Sequence, residues 1–328
     1  MLHQDISHIH NKRILFGILN WGLGHAVRCI PIIQQLLQSE NEVIIASDGI
    51  ALSLLQKEFP KSTFLEAPSY DISYAHDSMI YNMASQSWKI IRAIKQEHTW
   101  LKKNAELHNI DLIISDNRLG FYHKSIESIY MTHQVTIPGP RWVTTGVNHL
   151  HRSFINKYKE CWIPDNEGTE SLSGMMKEGK LNIPKVFIGP LSRLTKEAED
   201  ETYDYTAIIS GPEPKRSHFE QQITELFNNA SNLNLCIIRG TNAPRSYPTN
   251  PHITVYDLLE SQPINTLINQ TNTIICRSGY TSIMDLYSLK KRALILPTKG
   301  QYEQEYLANH LNGTFQFSSF SSVQEITL

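Results

Sequence analysis

The sequence has little of what marks several large classes of protein. It contains four cysteines, scattered without metal-ligand or disulfide spacing. It has no apolar run approaching the ~20 residues of a transmembrane helix. Its net charge of -2, with 19% charged residues, lacks the basic excess of a nucleic-acid-binding protein. These absences argue against a disulfide scaffold, a membrane span and a nucleic-acid partner, and they predict reduced, buried cysteines.

The N-terminal residues and the absence of low-complexity sequence argue against further classes of protein. Met1 to Lys12 is polar and rich in histidine, without the apolar centre of a secretory signal, so we expect a cytoplasmic protein. We find no internal repeat, no low-complexity tract and no Asp-x-Asp metal motif. We therefore expect an ordinary globular protein that needs no metal.

Strands alternate with helices along most of the chain, which predicts parallel sheets with helices on both faces. The length of 328 residues suits two domains. A segment with a mixed-charge run, from about Gly189 to Asp204, is typical of a linker, so we predict domains 1–195 and 196–328. The predicted strands lie near Ile14–Leu19, Glu42–Ser47, Thr63–Leu65, Leu112–Ser115, Ser128–Met131, Cys161–Ile163, Thr206–Ser210, Leu235–Ile238, Ile253–Val255, Thr273–Cys276 and Ala293–Leu296.

The longest predicted helix runs from about Ser85 to His108. Apolar and aromatic side chains recur there at helical spacing, and we expect this stripe in the core. Its members are Trp88, Ile91, Ile94 and His98.

A strand, a turn of small residues and a helix follow one another from Thr273 to Asp285. The run TIIC has the length of a buried strand, and Ser278-Gly279 then lets the backbone turn tightly and approach a ligand. The first amides of the next helix have no partner within it, so together with the helix dipole they favour a phosphate. Asp285 follows about one turn later, where a carboxylate can accept hydrogen bonds from ribose hydroxyls. An ordinary strand-turn-helix with an acidic start explains these residues equally well.

A second strand, loop and helix follow directly. The run RALILP from Arg292 is typical of a strand, and the next helix begins with polar residues that include Gln301, Gln304 and Glu305. Loops that follow parallel strands meet at one edge of the sheet, where open α/β sheets bind ligands. We therefore expect Gln304 and Glu305 at the same edge as Asp285.

The N-terminal part begins with a strand and a glycine-rich turn. The strand RILFGIL is followed by Gly22, Gly24, His25 and Arg28 in a Gly-x-Gly-His-x-x-Arg pattern. The third glycine of the dinucleotide fingerprint is missing, so a dinucleotide-binding fold is not favoured.

The C-terminal segments resemble the donor-binding domain of glycosyltransferase family 28, which includes the transferase that adds N-acetylglucosamine in peptidoglycan lipid synthesis. The match covers about Ser210 to Leu311. The resemblance implies a GT-B fold, with two Rossmann-like parallel-sheet domains facing across a cleft. It places the ribose on Asp285 and the sugar hydroxyls on Gln304 and Glu305. Family members usually have Gln-Gln at that last pair, so the identity of the sugar is left open.

The N-terminal glycine pattern is similar to the loop of these GT-B transferases that faces the donor phosphates and the acceptor. Arg193 lies in a segment resembling the family's Gly-x-Pro-x-Arg linker, and Tyr256 lies where relatives bind uracil through the backbone. Arg216 is placed either to pair with phosphate or to be a solvated loop arginine. The donor site implied by the resemblance comprises Gly22, Gly24, Arg28, Arg193, Gly211, Arg216, Tyr256, Ser278, Gly279, Tyr280, Thr281, Asp285, Gln301, Gln304 and Glu305.

The candidate catalytic residues are His25 and Asp116. His25 is our candidate general base, because the unperturbed pKa of histidine, ~6.5, suits proton removal near neutral pH. Asp116 ends a buried strand, where it can orient His25, deprotonate the acceptor hydroxyl, or cap the next helix. His133 follows the neighbouring strand and either lines the acceptor site or is structural.

A basic face is predicted on the helix near Trp142 to Tyr158. It carries His149, His151, Arg152, Lys157 and Lys159, and it either contacts an anionic acceptor or the inner face of a membrane, or is simply solvated.

The resemblance implies a hexosyltransferase that moves a hexose or N-acetylhexosamine from a UDP-sugar to an acceptor hydroxyl, with inversion and without a metal or other cofactor. The acceptor is open: a glycan, a lipid-linked molecule or a small molecule. Replacing Asp285 with alanine should cost donor affinity strongly. The alternatives are a UDP-sugar epimerase or hydrolase of GT-B fold and a non-catalytic nucleotide-sugar-binding protein. The last residues, Gly313 to Leu328, do not predict the helix with which GT-B chains commonly end.

Overall fold

The computed structural model describes residues 6, 8–70, 86–230, 232–247 and 250–328. The chain divides into two compact units, Met1–Leu191 and Ser192–Leu328. The boundary between these units lies four residues before the predicted one after Thr195.

Unit 1 contains a parallel sheet of seven strands in the order β3-β2-β1-β4-β5-β6-β7, counted over its described residues. The short strand β7 was not predicted from the sequence, because its three residues are only half-buried. The strands are β1 (Arg13–Ile18), β2 (Glu42–Ser47), β3 (Thr63–Glu66), β4 (Leu112–Asp116), β5 (Glu127–Met131), β6 (Glu160–Ile163) and β7 (Lys185–Phe187). The helices are α1 (Leu23–Gln38), α2 (Gly49–Glu58), α3 (Ser87–Leu107) and α4 (Arg141–Ile155).

Unit 2 contains a parallel sheet of six strands in the order β10-β9-β8-β11-β12-β13, again over the described residues. The strands are β8 (Tyr203–Ile208), β9 (Leu235–Ile238), β10 (Ile253–Tyr256), β11 (Thr271–Arg277), β12 (Arg292–Leu296) and β13 (Phe317–Ser319). The helices are α5 (Lys215–Asn228), α6 (Ser261–Asn269), α7 (Tyr280–Leu289) and α8 (Tyr302–Leu311).

The strand order reverses beside the first strand of each unit. In unit 1 β1 pairs with β2 on one side and with β4 on the other, and in unit 2 β8 pairs with β9 and with β11. The connections on the two sides of such a strand leave in opposite directions, so a crevice opens at the carboxyl edge of the sheet. Each unit therefore has one topological switch point, between β1 and β4 and between β8 and β11.

The strand cores are apolar because the sheets are covered on both faces. Every residue of β4 and β9 is buried, and α1 buries the side of the helix that carries Cys29, Ile33 and Leu36. All four cysteines are free and buried, as predicted. Burial raises the pKa of Cys236 and of Cys276 to about 12, so neither thiol is a nucleophile at neutral pH.

The core stripe predicted along α3 is only partly present. Ile94 is buried and His98 is half-buried, but Trp88 and Ile91 are exposed. The expectation that the whole stripe is core was therefore wrong for these two residues. The predicted start of the helix, Ser85, lies outside the described residues.

A buried arginine joins the carboxyl ends of the central strands of unit 1. The Arg118 guanidinium, just after β4, donates to Glu97 on α3 at 2.6 Å, to Asp48 after β2 at 3.1 Å and to the Ile18 carbonyl of β1 at 3.1 Å. Burial alone would lower the pKa of Arg118, but Glu97, Tyr70 and Asp48 outweigh it, so the side chain stays charged. This network fixes the edge of the sheet on which the candidate site lies.

The end of the chain packs on unit 2. The turn of 3-10 helix Val323–Glu325 follows β13, and Val323 and Ile326 join the apolar cluster formed by α5 and the sheet. The described C-terminal residues form no long helix, as the sequence indicated.

Candidate functional site

The switch point of unit 1 holds a cluster of four polar side chains. His25 lies in the first turn of α1, Asp116 ends β4, and His133 follows β5. The Asp116 Oδ2 atom lies 2.7 Å from His25 Nδ1, and the other oxygen, Oδ1, accepts a hydrogen bond from Arg28 Nε at 3.0 Å and a second from Arg28 Nη2. Arg28 Nη1 lies 3.2 Å from His133 Nδ1. The structure thus brings the two predicted catalytic residues together and adds Arg28 and His133.

The charges of this cluster follow from burial and from Arg28. Burial would raise the pKa of Asp116, but Arg28 and then His25 outweigh it and lower the pKa, so Asp116 is ionised. Burial lowers the pKa of His25 and Arg28 lowers it further, against the opposite effect of Asp116. His25 is therefore neutral at pH 7, and its side chain is 14% exposed. A neutral, oriented imidazole of this kind can accept a proton from a hydroxyl group.

Arg28 is buried and engaged within unit 1, and its predicted contact with donor phosphates stays a prediction. We expected it to bind donor phosphates, but its side chain is only 3% exposed and its guanidinium is engaged by Asp116 and His133. The reason is the helical spacing of α1, because position 28 is one turn beyond His25 and points along the same face into the core.

The turn before α1 leaves space in front of the cluster. Gly22 has a φ of 82°, and a Cβ atom built there would meet nothing within 4 Å. Gly24 lies within the first turn of α1. The indole Nε1 of Trp21 is buried and has no hydrogen-bond partner among the described residues. This loop has room for a ligand, which fits the predicted role of its glycines.

The switch point of unit 2 is built from the two loops that follow β8 and β11. Ser278 is buried and donates its hydroxyl to the Gln304 carbonyl at 2.8 Å, which ties the end of β11 to α8. Gly279 is the N-cap of α7, with Tyr280 and Thr281 in the first turn. A Cβ atom at Gly279 or at Gly211 would meet nothing within 4 Å, and Gly211 has a φ of 112°.

At Gly279, the N-cap of α7, the backbone therefore borders open space. Helix N-termini present amides and a positive dipole end, which suit a phosphate. The predicted phosphate role of these residues is consistent with this geometry and stays a prediction.

An arginine that sequence reasoning missed lies beside this helix start. The Arg277 guanidinium stacks on the Phe219 ring at 4.0 Å and donates from Nη1 to the Pro297 carbonyl at 3.1 Å. It makes no salt bridge within the part of the chain that the structure describes. Burial lowers its pKa to about 10, so it remains a cation at pH 7. The sequence feature that could have identified Arg277 is its position as the last residue of a strand, directly before Ser278-Gly279.

Arg216 and Arg193, the predicted phosphate partners, are engaged elsewhere. Arg216 donates to Glu213 at 2.7 Å and to the buried Glu220 at 3.0 Å. Arg193 donates to the Ser261 hydroxyl at 2.9 Å. Arg216 thus lies inside a buried ion-pair network, because the first turn of α5 directs it into the core. This placement favours neither a phosphate ligand nor the solvated loop arginine that we had considered.

Tyr256 lies in the sheet rather than in an open loop. Its side chain packs with Cys236 and Ile238, and its carbonyl accepts a hydrogen bond from the Arg239 amide at 2.8 Å. The predicted contact of this position with a nucleotide base stays a prediction.

Asp285, the predicted ribose ligand, is bonded within unit 2. Its Oδ1 accepts a hydrogen bond from the Ser192 hydroxyl at 2.6 Å. Burial raises the pKa of Asp285 to about 6, against the lowering effects of Ser192 and Arg193. A nucleotide that bound the Asp285 carboxylate would therefore share it with Ser192 or replace the Ser192 hydrogen bond.

This raised pKa predicts a pH-dependent cost of folding. Between its ordinary pKa of 3.8 and about 6 the carboxyl is ionised in the unfolded chain and protonated in the folded one, so stability falls as pH rises through that window. In urea unfolding at pH 4 and pH 7, we expect wild type to lose about 2 kcal/mol more of its unfolding free energy than Asp285→Asn, whose side chain does not titrate. Parallel pH profiles for the two proteins would contradict this prediction.

Gln304 and Glu305 close their own loop. Gln304 Oε1 accepts a hydrogen bond from the Thr298 amide at 2.8 Å, and Glu305 Oε1 accepts one from the Gly300 amide at 2.8 Å. Gln301 is the N-cap of α8 and its carbonyl accepts the Glu305 amide at 3.0 Å. The side-chain nitrogen of Gln304 has no partner among the described residues, so it can donate to a ligand.

Part of the basic face predicted near Trp142 lies on α4, but Lys157 and Lys159 follow the end of that helix, and His151 is half-buried with its Nε2 atom 2.9 Å from the Gln134 carbonyl. Trp142 is 87% exposed, Val147 and Leu150 are also exposed, and the Lys157 ammonium lies 4.4 Å from the centre of the Phe154 ring. Contact of this face with a membrane or an acceptor stays a prediction. Among the described helices, none combines the length and hydropathy needed to span a bilayer. In the same residues no three His, Cys, Asp or Glu side chains are grouped so that they could hold a metal ion.

The fold is shared with solved glycosyltransferases. The glycotransferase of kitacinnamycin is similar over 97% of this chain and 88% of its own, with a TM-score of 0.69 and 12% identity. Phytolacca americana UGT2, complexed with UDP-2fluoro-glucose and pterostilbene, is similar over 96% and 86%, with a TM-score of 0.65 and 12% identity. The spinosyn rhamnosyltransferase SpnG, complexed with thymidine diphosphate, is similar over 96% and 88%, with a TM-score of 0.62 and 13% identity.

No similarity of this kind is found at the level of the amino-acid sequence. No family model matches the chain, and no curated protein matches it in sequence. The structural likeness spans both units and agrees with their two parallel sheets. The chain therefore has the GT-B fold, with two Rossmann-like units.

Proposed function

We propose that this protein transfers a sugar from a nucleoside diphosphate sugar to an acceptor hydroxyl. The observation that carries the proposal is the pair of His25 and Asp116 at the switch point of unit 1, where a neutral imidazole is oriented by a buried carboxylate. Such a pair is suited to removing a proton from a hydroxyl group. The solved structures that share the fold are glycosyltransferases, which supports the same reaction class.

The donor is proposed to bind unit 2 through its diphosphate. The open space at Gly279 before α7 suits a group that must approach backbone amides closely, and Gly211, which also borders open space, follows the neighbouring strand β8. Arg277 supplies a cation beside it, and we assign to Arg277 the phosphate contact that was expected of Arg216 or Arg193. Uridine is our proposed nucleoside and a hexose or N-acetylhexosamine our proposed sugar, as the resemblance to family 28 implies.

The proposed chemistry is a single displacement. As His25 Nε2 takes the hydroxyl proton, the acceptor oxygen forms a bond to the anomeric carbon, and the bond from that carbon to the β-phosphate oxygen breaks. The electron pair leaves with the nucleoside diphosphate. Attack opposite the leaving group inverts the anomeric configuration. Amides at the start of α7 and Arg277 stabilise the charge that builds on the leaving group, so no metal is required in this scheme.

The first experiment tests binding and then turnover. Thermal shift of the full chain with UDP, TDP, GDP, ADP and NAD should show stabilisation by UDP, since a ligand that binds only the folded state raises its stability. Release of UDP from UDP-glucose and UDP-N-acetylglucosamine is then measured with and without a panel of hydroxyl acceptors. Acceptor-dependent release supports the transferase.

Three results would overturn this proposal in different ways. Equal release without any acceptor indicates a hydrolase, and interconversion of UDP-sugars without UDP release indicates an epimerase. Binding of UDP without turnover on any donor and acceptor indicates a nucleotide-sugar-binding protein. Stabilisation by TDP instead of UDP changes only the nucleoside.

A further inference from the structure

The buried carboxylate of unit 1 has more cationic partners than an orienting group needs. Asp116 has no exposed surface, and both of its oxygens are used: Oδ2 by His25, and Oδ1 by two nitrogens of Arg28. A buried carboxylate is kept ionised by a nearby positive charge or by several hydrogen-bond donors. Two groups could supply the positive charge beside Asp116: Arg28 and a protonated His25. The choice between them matters, because a protonated His25 cannot act as a base.

The neighbours of His25 favour the neutral imidazole. Arg28 Nη2 lies 2.9 Å from His25 Nδ1, and Asp116 Oδ2 lies 2.7 Å from the same atom. If Nδ1 carries its proton and donates to the carboxylate, Nε2 is left as an acceptor, and the adjacent guanidinium disfavours a second proton on the ring. Arg28 thus opposes the charge that Asp116 alone would induce on His25.

The other ionisable groups around the cluster come from α1 and β5. Cys29 on α1 and Tyr130 on β5 lie close to Asp116, and burial raises the pKa of both, so they are neutral at pH 7. His133, after β5, lies near Arg28 and further disfavours a proton on His25. Arg28 and Asp116 are the charged groups in direct contact with His25.

We propose that Arg28 is a positioning residue whose guanidinium serves as the charge partner of Asp116, so that His25 remains a neutral base. This inference rests on the proposed function for its catalytic meaning, and on geometry for its charge assignment. It assigns Arg28 no contact with substrate. The guanidinium acts through Asp116 and His25, and its planar fork is held on the far side by His133.

Two substitutions test the role of Arg28. Without the guanidinium, Asp116 draws a proton onto the pair it forms with His25, and that pair titrates at higher pH. In Arg28→Met we expect the acid limb of the kcat/KM profile to move up by about one pH unit, which lowers the rate about tenfold at a pH below both limbs and restores it at high pH. Arg28→Lys keeps the charge and should move the limb by less.

A second measurement does not depend on turnover. Carbon-13 labelling of the histidine rings gives the titration of His25 by NMR in the protein without substrate, with His25→Gln used to assign the signal. We expect the same upward shift of the His25 pKa in Arg28→Met, and a smaller upward shift in Arg28→Lys. If the methionine variant fails to fold, the lysine variant still provides the test. Because no substrate is needed, this readout tests the charge assignment even if the transferase proposal fails.

Two results would overturn the inference. One is an unmoved His25 titration in the folded Arg28 variants. The other is an unmoved acid limb with a uniform loss of kcat/KM and weaker UDP binding, which would assign Arg28 to the donor phosphates instead.

Discussion

Replacing His25 with alanine is expected to lower kcat for sugar transfer about 10³-fold. The reason is that the described structure offers one neutral, partly exposed imidazole beside a buried carboxylate, and its removal leaves water to accept the hydroxyl proton. UDP affinity should change less than threefold, because the proposed diphosphate site lies in unit 2. The measurement is steady-state kinetics together with calorimetry of UDP binding.

A second histidine of unit 1 provides the control for this prediction. His98 on α3 is half-buried, stacks on Tyr122 and lies near the Gly120 carbonyl, without any contact to Asp116. His98→Asn should keep kcat within about threefold of wild type. If His25→Ala retains more than a tenth of the wild-type kcat, another group is the base. The pair of His25 and Asp116 would then no longer support the proposed function.

Placing valine at Gly279 is expected to weaken UDP binding about 100-fold while the protein stays folded. The backbone there has φ -77° and ψ 137°, which valine adopts readily, and its Cβ would meet no protein atom within 4 Å. The side chain would occupy the space in front of α7 where we place the diphosphate. A loss of that size corresponds to about 2.7 kcal/mol. Calorimetry measures the affinity, and urea unfolding verifies the fold.

Gly146 supplies the matched control for the Gly279 variant. It lies in α4, where a Cβ atom would also meet nothing within 4 Å, and it belongs to unit 1. Gly146→Val should bind UDP as wild type does. If a folded Gly279→Val protein bound UDP with wild-type affinity, the nucleotide would bind elsewhere. The donor site proposed in unit 2 would then be wrong.

The pairing of His25 with Asp116 was within reach of the sequence because it depends on strand ends. Asp116 is the last residue of β4 and His25 lies in the first turn of the helix that follows β1. The carboxyl ends of adjacent parallel strands must meet at one edge. What remained open was whether Asp116 oriented His25, acted as a base itself or capped a helix. That choice depends on side-chain distances of a few tenths of an ångström, which strand patterns do not carry.

The side-chain contacts of the arginines could not be predicted from the sequence, for a physical reason. A long cationic side chain reaches about 7 Å from its backbone, so its sequence position says little about which carboxylate it meets. Arg28 and Arg216 follow glycine-rich turns and looked like phosphate ligands, yet Asp116 and Glu220 hold them in the core. Arg277, at the end of a strand, attracted no prediction and is the cation beside the helix start.

The hydrogen bond from Ser192 to Asp285 bears on how this protein can be recombined with its structural relatives. Each unit closes its own apolar core, which makes the two halves suitable modules for chimeric enzymes. A crossover placed after Thr195 would strip Ser192 from the carboxylate it bonds and leave Asp285 to a foreign neighbour. The graft should therefore be joined between Leu191 and Ser192, so that the transplanted module carries its own first residue.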